Sequence, residues 1–485
     1  MATSPATAGS GDAAADVGLL APVRAGTGVE DATGDAAYVR ALLDAETALV
    51  RAQESLGHAP AGAAAAVASA AADTARFDPR ALALRARSGG NPVIPLAADL
   101  TAAVAERSPE AAAHVHRGAT SQDILDTAAM LVAAEALRLI LADLDRAATA
   151  LARVAAEHRD TPMAGRTLTQ HAVPTTFGLK VAGWRSLVLD AHDRLTTVRA
   201  ALPVQLGGAA GTLAAFAAFA ESGRRTTGQD GASDGAAARD AGPVLVEAYA
   251  TAAGLAAPTL PWHALRTPVA DLGGALAFTA GALGKLAADV LVLSRTEIGE
   301  VSESTGGASS AMPHKANPAR AVLIAAAARQ VPALAGILYG ALAAEDERPP
   351  GAWHAEWQPL REALRTVGGA ADAAATLAEG LRVHPGRMRE NLDATGGLIV
   401  SERLGAALSA GLGRAAARKA VTDGAARAAR EGIPLHEALA QDPALAGVVT
   451  GDELRTLTDP SGYTGAAGPL VDRALRRRSE ESVPE

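Results

Sequence analysis

The chain of 485 residues contains no cysteine and very few aromatic residues. The missing thiols exclude disulfides, iron–sulfur clusters and zinc sites with thiolate ligands. Their absence fits a reducing compartment, so we expect a cytoplasmic protein. Aromatic side chains make up only 3% of the residues, while apolar residues make up 49%. The core must therefore be built largely from alanine, leucine and valine.

The chain also lacks an excess of positive charge. It has 44 Lys and Arg against 53 Asp and Glu, which gives a net charge of −9. This balance argues against a nucleic-acid partner, which would require a basic face. No uncharged apolar run reaches the roughly 18–20 residues that a membrane span needs, so no membrane partner is expected. The first residues do not follow the pattern of a secretory signal, and residues 1–16 are predicted to form a disordered tail.

Most of the remaining chain has the periodicity of long helices. Leu137, Leu141, Leu144, Ala148 and Leu151 follow one another at steps of 4, 3, 4 and 3 residues, which places them on one helix face. Similar patterns occupy residues 176–200, 269–299 and 319–344. Strand-like alternation is scarce, so the fold class is predicted to be all-α, with a bundle of long helices. The polar, glycine-rich stretch 221–242 is predicted to be a surface loop.

The first of three polar segments runs from His114 to Asp123 at the predicted start of the helix over residues 120–159. Thr120 and Asp123 are spaced as in a capping box, with Asp in place of Glu. The segment is consistent with a helix cap that has solvated neighbours. It is also consistent with an anion site, because the free N–H groups and the dipole at a helix start favour negative charge.

The second polar segment, residues 165–177, contains His171. Pro174, three residues after His171, suits the first turn of a helix, so a helix is predicted to begin there. A single histidine is most often a structural residue. It is also the side chain best suited to proton transfer near neutral pH.

The third polar segment, residues 302–318, is long and rich in glycine and serine. Asn317 and Pro318 are predicted to begin a helix as its cap and first residue. Lys315 and Asn317 are suited to binding a carboxylate, and Ser309 or Ser310 could accept a proton. A flexible linker is the alternative interpretation, although Ser-Ser-Ala-Met-Pro-His-Lys-Ala-Asn-Pro is an unusually specific string for a linker.

The third segment resembles the signature loop of the fumarase/aspartase superfamily, and the first two segments resemble its other active-site regions, in the same order. The resemblance implies a three-domain all-α fold with a long central helix bundle. It also implies a homotetramer in which each active site takes the three regions from three subunits. The implied divisions are a tail at 1–16, an N-terminal domain at 17–114, a central domain at 115–365 with a loop insertion at 221–242, and a C-terminal domain at 366–485.

The shared chemistry of this superfamily removes a proton next to a carboxylate and expels a group from the neighbouring carbon, or the reverse, without a metal or other cofactor. By resemblance, the catalytic residues are Ser309, His171 and Lys315. The implied substrate-binding residues are His116, Thr120, Ser121, Gln170, Ser310 and Asn317. Ala308 departs from the glycine that is common before the two serines.

Two further stretches resemble the bacterial 3-carboxy-cis,cis-muconate cycloisomerases of this superfamily. One is Ser-Gly-Gly-Asn-Pro-Val-Ile-Pro around Asn91, and the other is Glu-Arg-Pro-Pro-Gly-Ala-Trp-His-Ala-Glu-Trp, which contains Arg348 and His354. The resemblance implies that these three residues also bind substrate. The substrate would be a small tricarboxylate that closes to 4-carboxymuconolactone by intramolecular addition of a carboxylate.

Two alternatives remain open at this point. One is a lyase of the same superfamily that acts on a succinyl adduct such as adenylosuccinate, although the segment around Asn91 lacks the additional histidine of adenylosuccinate lyases. The other is a helical tetramer without catalytic activity, because a fold alone does not guarantee function. A protein of net negative charge that binds a tricarboxylate needs a local positive pocket, for which Arg166 and Arg348 are further candidates.

Overall fold

The computed structural model describes residues 18–226, 235–304, 307–308, 312 and 315–477. The predicted tail at 1–16 lies outside these residues, as do Ser309 and Ser310. The described part of the chain is dominated by helices, which confirms the predicted all-α class. The α-helices are α1 (Gly28–Ala32), α2 (Asp35–Ser55), α3 (Ala63–Ala71), α4 (Pro79–Gly89), α5 (Val93–Ala105), α6 (Pro109–Ala112), α7 (Ser121–Glu157), α8 (Phe177–Ala200), α9 (Ala214–Thr226), α10 (Gly235–Ala253), α11 (Thr267–Leu293), α12 (Ala319–Gly340), α13 (Ala352–Glu379), α14 (Pro385–Asp393), α15 (Ser401–Leu412), α16 (Arg414–Glu431), α17 (Leu435–Ala440), α18 (Gly451–Thr458) and α19 (Ala467–Leu475).

The four long helices that the periodicity predicts are present. Helix α7 has 37 residues and matches the predicted range 120–159 to within two residues at each end. Helices α8, α11 and α12 correspond to the other three ranges, although α11 ends at Leu293, six residues before the predicted boundary. The leucines at steps of three and four along α7 are buried, as the pattern requires.

The strands in the described residues are short and antiparallel. The pairs are β1 (Pro162–Thr167) with β2 (Gln170–Thr176), β3 (Val301–Glu303) with β6 (Leu381–Val383), and β4 (Gly307–Ala308) with β5 (Ala316–Asn317). All three pairs include residues of the second or third polar segment. The local strand pairing therefore coincides with the segments in which sequence analysis places the chemistry.

The predicted surface loop over 221–242 is wrong for its described residues. Helix α9 continues through Thr226 and helix α10 begins at Gly235, while residues 227–234 lie outside the described part of the chain. The prediction gave too much weight to glycine and polar residues. Alanine, the best helix former, is frequent in both flanks, and arginine is also favourable in helices.

The chain divides into two compact units. The first comprises Met1–Ala142, Arg194–Ala280 and Ala326–Asp372, and the second comprises Asp143–Asp193, Gly281–Ala325 and Ala373–Glu485. A large apolar cluster in the first unit joins α2, α3 and α5 to the start of α7 and to α10. A smaller apolar cluster in the second unit joins the four helices α15, α16, α17 and α18. The three-domain division implied by the resemblance remains a prediction.

A buried charge network lies inside the first unit. Arg266, at the start of α11, bonds Asp126 of α7 through Nη1 at 2.7 Å and Glu356 of α13 through Nη2 at 2.5 Å. The indole N–H of Trp353 donates to Asp126 at 2.9 Å. Burial lowers the pKa of Arg266, but the two carboxylates raise it by more, so the guanidinium remains charged. The network ties three long helices together through a single arginine.

Two long helices are apolar enough to cross a membrane by length and composition alone. The most apolar windows of α11 and α12 have a mean hydropathy of 1.7, and 50% and 39% of them are buried, respectively. Core helices of globular proteins have the same character, so this finding is weak support for a membrane span.

The contact between α7 and α8 gives a prediction for Gly178. A Cβ at this position would lie 2.7 Å from the carbonyl oxygens of Ala155 and His158. Gly178→Ala should therefore lower the free energy of unfolding by about 1–3 kcal/mol, since backbone atoms would have to move. Gly183→Ala, also in α8, is the matched control, because no atom lies within 4 Å of its Cβ position. Urea denaturation measures both variants, and equal stability of the two would contradict the prediction.

The buried network gives a second prediction. Arg266→Met should destabilise the fold by about 3–5 kcal/mol, because it leaves Asp126 and Glu356 without their cation. Burial already raises the pKa of Glu356, and losing Arg266 raises it further. A carboxyl with a raised pKa favours unfolding above that pKa, so the variant should regain stability as the pH falls from neutral towards acid. Arg455→Met, which removes an exposed surface partner of Asp452, is the control and should change little. A variant whose stability deficit is independent of pH would refute this assignment.

Candidate active site

The first polar segment leads into α7 as the capping pattern predicts. The Asp123 side chain accepts the N–H of Thr120 at 2.9 Å, so Thr120 and Ser121 lie at the helix start. Both residues are half-buried. A helix start of this kind presents N–H groups and the positive end of the dipole to an anion.

Asp123 is fixed by donors from elsewhere in the first unit. Its oxygens accept the N–H groups of Gly207 at 2.8 Å and Gly208 at 3.0 Å, and Oδ1 lies 2.7 Å from Nε2 of His263. The side chain of Asp123 is fully buried. The carboxylate thus anchors the first turn of α7 to a neighbouring loop and keeps the Thr120–Ser121 step in place.

His116 is held by Glu46, a fully buried residue in the middle of α2. One oxygen of Glu46 accepts the backbone N–H of His116 at 3.0 Å, and the other lies 2.6 Å from Nδ1 of the ring. His116 has a φ of 55°, in the left-handed region that a residue with a side chain rarely adopts. Gly118, two residues later, has a φ of 85°, and a Cβ there would lie 2.8 Å from the Phe216 ring. The loop conformation depends on this glycine and on the two bonds to Glu46.

The charge of His116 follows from the same contacts. Burial lowers its pKa, but the hydrogen bond to Glu46 and the charges of Glu46 and Asp123 raise it by more, so the net pKa is above the ordinary histidine value. The ring therefore keeps its proton to a higher pH than a free histidine. A protonated imidazole next to the start of α7 places a positive charge beside the positive end of the helix dipole.

Asn91 and His354 lie close together in the first unit. A Cβ on Gly90, which precedes Asn91, would be 3.6 Å from Nε2 of His354. The Asn91 side chain is buried, and its Oδ1 accepts the N–H of Val93 at 3.1 Å, so it caps α5. The exposed His354 ring packs against Trp357, with a centroid distance of 4.8 Å. The structure thus brings together the two stretches that carried the finer resemblance, while substrate binding by either residue remains a prediction.

Arg348 lies in the loop before α13 and is exposed. In the same stretch, Trp353 is buried and bonded to Asp126, so this tryptophan has a packing role. The loop position of Arg348 leaves its side chain accessible to a ligand. Substrate binding by Arg348 remains a prediction.

The second polar segment forms a hairpin in the second unit instead of a helix. His171 and Pro174 both lie in β2, and α8 begins only at Phe177, so the predicted helix start at Pro174 is wrong. Pro174 pairs with Ala164 at a strand position in a two-stranded sheet, where a missing N–H is tolerated. The turn consists of Leu168 and Thr169, with φ values of 47° and 74°.

The hairpin tip is strained and exposed. Two consecutive positive φ values define the turn type that normally takes Asn-Gly, yet Leu168 occupies the first position and is 97% exposed. Gln170, next to the turn, is exposed as well, and its amide donates to the Thr169 hydroxyl at 3.2 Å. Strain of this kind is concentrated at functional sites, which fits the predicted role of this segment.

Arg166 pairs with a carboxylate that sequence analysis missed. Its guanidinium makes two bonds to Glu300, at 2.6 and 3.0 Å, and the Asn391 amide donates to Glu300 at 2.8 Å. Arg166 therefore supplies less positive charge to a ligand than an unpaired arginine would. Burial, with a further contribution from Arg166, lowers the pKa of the neighbouring His171. His171 is thus neutral near neutral pH and able to accept a proton.

The third polar segment precedes α12 in the second unit. Lys315 is exposed, and Asn317 pairs with Gly307 in the short β4–β5 sheet, so Asn317 does not begin the helix as predicted. The helix start is instead capped by Glu303, whose oxygens accept the N–H groups of Arg320 at 3.2 Å and Ala321 at 3.0 Å. Ser309 and Ser310 lie outside the described residues.

The structure adds three carboxylates to the sequence analysis. Glu46 holds His116, Glu300 pairs with Arg166, and Glu303 caps α12. Glu46 and Glu300 are 70 and 134 residues away from their partners in sequence, so no local motif could have indicated either pair. Glu303 lay within the third segment, and only its buried position distinguishes it. In the described part of the chain, no group of three or more His, Asp and Glu side chains is arranged to hold a metal ion.

Comparisons with known proteins support the family that the three polar segments indicate. The family model described as "Lyase" matches residues 29–333, and the model described as "Adenylosuccinate lyase C-terminus" matches residues 397–474. A nitrosuccinate lyase of Streptomyces davaonensis is 56% identical over 466 residues, which cover 96% of this chain and 95% of that protein. A 3-carboxy-cis,cis-muconate cycloisomerase of Bradyrhizobium diazoefficiens is 39% identical over 461 residues, which cover 94% of this chain and 97% of that protein.

A solved structure resembles the whole chain as well. The 3-carboxy-cis,cis-muconate lactonizing enzyme of Pseudomonas putida has a TM-score of 0.85 and 37% identity, and the match covers 95% of this chain and 98% of the other. The extent of these matches, together with the three polar segments in their expected order, establishes the family. The chain belongs to the fumarase/aspartase superfamily of lyases.

Proposed function

We propose that this protein is a nitrosuccinate lyase, which eliminates nitrite from nitrosuccinate and releases fumarate. The observation that carries the proposal is the 56% identity to the Streptomyces davaonensis enzyme over nearly the full length of both chains. The identity to the Bradyrhizobium diazoefficiens cycloisomerase, over similar coverage, is 39%. The resemblance of two short stretches to the muconate cycloisomerases therefore counts for less than the similarity along the whole chain.

The proposed reaction uses the chemistry of the superfamily. A base removes one proton from the CH₂ carbon next to a carboxylate, and the electrons of that C–H bond form the new double bond. The bond from the neighbouring carbon to the nitro nitrogen breaks, and nitrite leaves with its electron pair. Nitrosuccinate is thereby converted to fumarate, nitrite and one proton, with no oxidation or reduction by an outside reagent.

The described residues suit the two carboxylates of such a substrate. Negative charge builds up on one carboxylate as the proton leaves, and cationic or N–H donors lower the energy of that state. The start of α7 at Thr120 and Ser121, together with His116, offers donors in the first unit. Lys315 and Asn317 offer them in the second unit. The proton acceptor proposed from the family pattern is Ser309, and the neutral His171 is the candidate for passing the proton on.

A 3-carboxy-cis,cis-muconate cycloisomerase is the second candidate. It is favoured by the Trp353–Trp357 stretch and the Asn91 segment, both of which resemble that group, and by the TM-score of 0.85 to the Pseudomonas putida enzyme. The same acid and base would then deliver a proton to carbon while a tethered carboxylate adds. This reaction needs a third carboxylate in the substrate, for which Arg348 is the exposed cation in the adjoining loop.

We also propose that the protein assembles as a homotetramer with shared active sites. The described residues of α12 include large apolar side chains that are exposed in the single chain, namely Val322, Ile337 and Tyr339. Such faces on a long apolar helix favour association with further helices. The combination of the three polar segments from different subunits follows from the family resemblance.

The role of Lys315 gives the direct test of the proposed function. Lys315→Ala should lower kcat for nitrite release by about a hundredfold or more, since it removes a charge that stabilises the transition state. Nitrite is measured by colorimetric assay and fumarate by ultraviolet absorbance. Lys419→Ala, which changes an exposed lysine paired with Asp423 in α16, is the matched control and should keep full activity.

Parallel assays of the unaltered protein separate the candidates. Nitrite and fumarate appearing in equal amounts from nitrosuccinate, with no change in 3-carboxy-cis,cis-muconate or adenylosuccinate, would support the proposal. A fall in the diene absorbance of the muconate without nitrite release would favour the cycloisomerase. Full activity of Lys315→Ala with nitrosuccinate would remove the third segment from the mechanism.

A further inference from the structure

We propose that Glu46 is a positioning residue that orients the His116 ring and keeps it protonated, so that His116 binds a substrate carboxylate at the start of α7. Glu46 lies in α2, 70 residues before His116, and belongs to none of the three polar segments. The inference rests on the proposed function only in assuming that the site binds a dicarboxylate.

The geometry of the pair fixes both the backbone and the ring. One carboxylate bonds the His116 N–H at 3.0 Å and Nδ1 at 2.6 Å, and its side chain is 0% exposed. Two bonds from one rigid group select a single ring orientation. Because Nδ1 is bonded to Glu46, Nε2 is the nitrogen that remains for a ligand, and about a quarter of the His116 side chain is exposed.

The charge balance explains why the ring must be protonated to bind an anion. Glu46 and Asp123 are both buried next to the start of α7, and their negative charge opposes that of an incoming carboxylate. A neutral His116 would leave this repulsion in place, whereas an imidazolium offsets it and donates a hydrogen bond through Nε2. Affinity for a dicarboxylate should therefore be high at low pH and decline as the pH rises through the pKa of His116.

Other ionisable groups around His116 also affect the charge at this place. Asp123, together with Glu46, raises the pKa of His116. Arg117 lies next to it in sequence and bonds Nδ1 of His114 at 3.1 Å. His263 donates to Asp123 through Nε2–H, and the Tyr249 hydroxyl, with its pKa raised by burial, remains neutral. Among the described residues, the charged and titratable groups that face this region include Glu46, Asp123, His114, Arg117, His263 and Tyr249.

The experiment measures binding of succinate, an unreactive dicarboxylate, by calorimetry across a pH series. The full-length protein is compared with Glu46→Gln, which keeps the size of the side chain and removes its charge. The midpoint of the pH dependence should fall by about one unit, and affinity above this new midpoint should fall about tenfold. Asp44→Asn, an exposed carboxylate on the same helix, is the matched control and should leave the profile unchanged.

A second variant covers the chance that Glu46→Gln disturbs the fold. His116→Gln leaves Glu46 in place and removes the titrating ring, so succinate binding should be weaker and independent of pH over this range. Thermal unfolding is recorded for every variant. A pH midpoint unchanged in Glu46→Gln, or a pH profile in His116→Gln equal to that of the unaltered protein, would overturn the inference, and so would an unaltered protein that binds no succinate.

The nitrite assay of the unaltered protein distinguishes the two proposals. Suppose that the unaltered protein releases nitrite and that Glu46→Gln leaves the pH profile of succinate binding unchanged. This result would refute the role of Glu46 and leave the proposed function intact. Succinate binding that shifts as predicted, without nitrite release from nitrosuccinate, would support Glu46 as the positioning residue and refute the proposed reaction.

Discussion

Compensation of buried carboxylates is the constraint on which the first unit depends. Glu46, Asp123 and Asp126 lie in a core made mostly of alanine, leucine and valine, where an uncompensated charge is costly. Each therefore has fixed partners. Glu46 bonds the ring and the backbone N–H of His116, and Asp123 bonds two glycine N–H groups and His263. Asp126 bonds Arg266 and Trp353. The same bonds fix the start of α7 and the loop before it. The anion site proposed there follows from the way the core satisfies its own charges.

Much of the fold could be predicted from local patterns, whereas the connections within the candidate site could not. The period of leucines predicts that α7 is a long helix, and the capping pattern at Thr120 and Asp123 predicts its start to within one residue. The hairpin around His171 was missed because its strands are short and a proline is tolerated in a two-stranded sheet. The partners of His116 and Arg166 come from distant parts of the chain, and sequence spacing contains no information about such pairs.

The specific reaction is harder to predict than the family, for a chemical reason. Members of the superfamily share proton transfer next to a carboxylate, so the three polar segments indicate only this shared step. These segments therefore do not distinguish which group leaves or which carboxylate adds. Short stretches such as the one around Trp353 point to one reaction, while similarity over the whole chain points to another. Trp353 itself is bonded to Asp126 in the core, so packing accounts for this residue of the stretch.

We propose that the three polar segments act as one catalytic site assembled from several subunits. The most direct test mixes two variants, His116→Gln in the first segment and Lys315→Ala in the third, after each is shown to be strongly impaired alone. The subunits are dissociated with mild denaturant, combined and allowed to reassociate, and nitrite release is then measured. Activity should return in the mixture, because some sites then combine the intact first segment of a Lys315→Ala chain with the intact third segment of a His116→Gln chain. Recovery no greater than the sum of the two separate variants would contradict it.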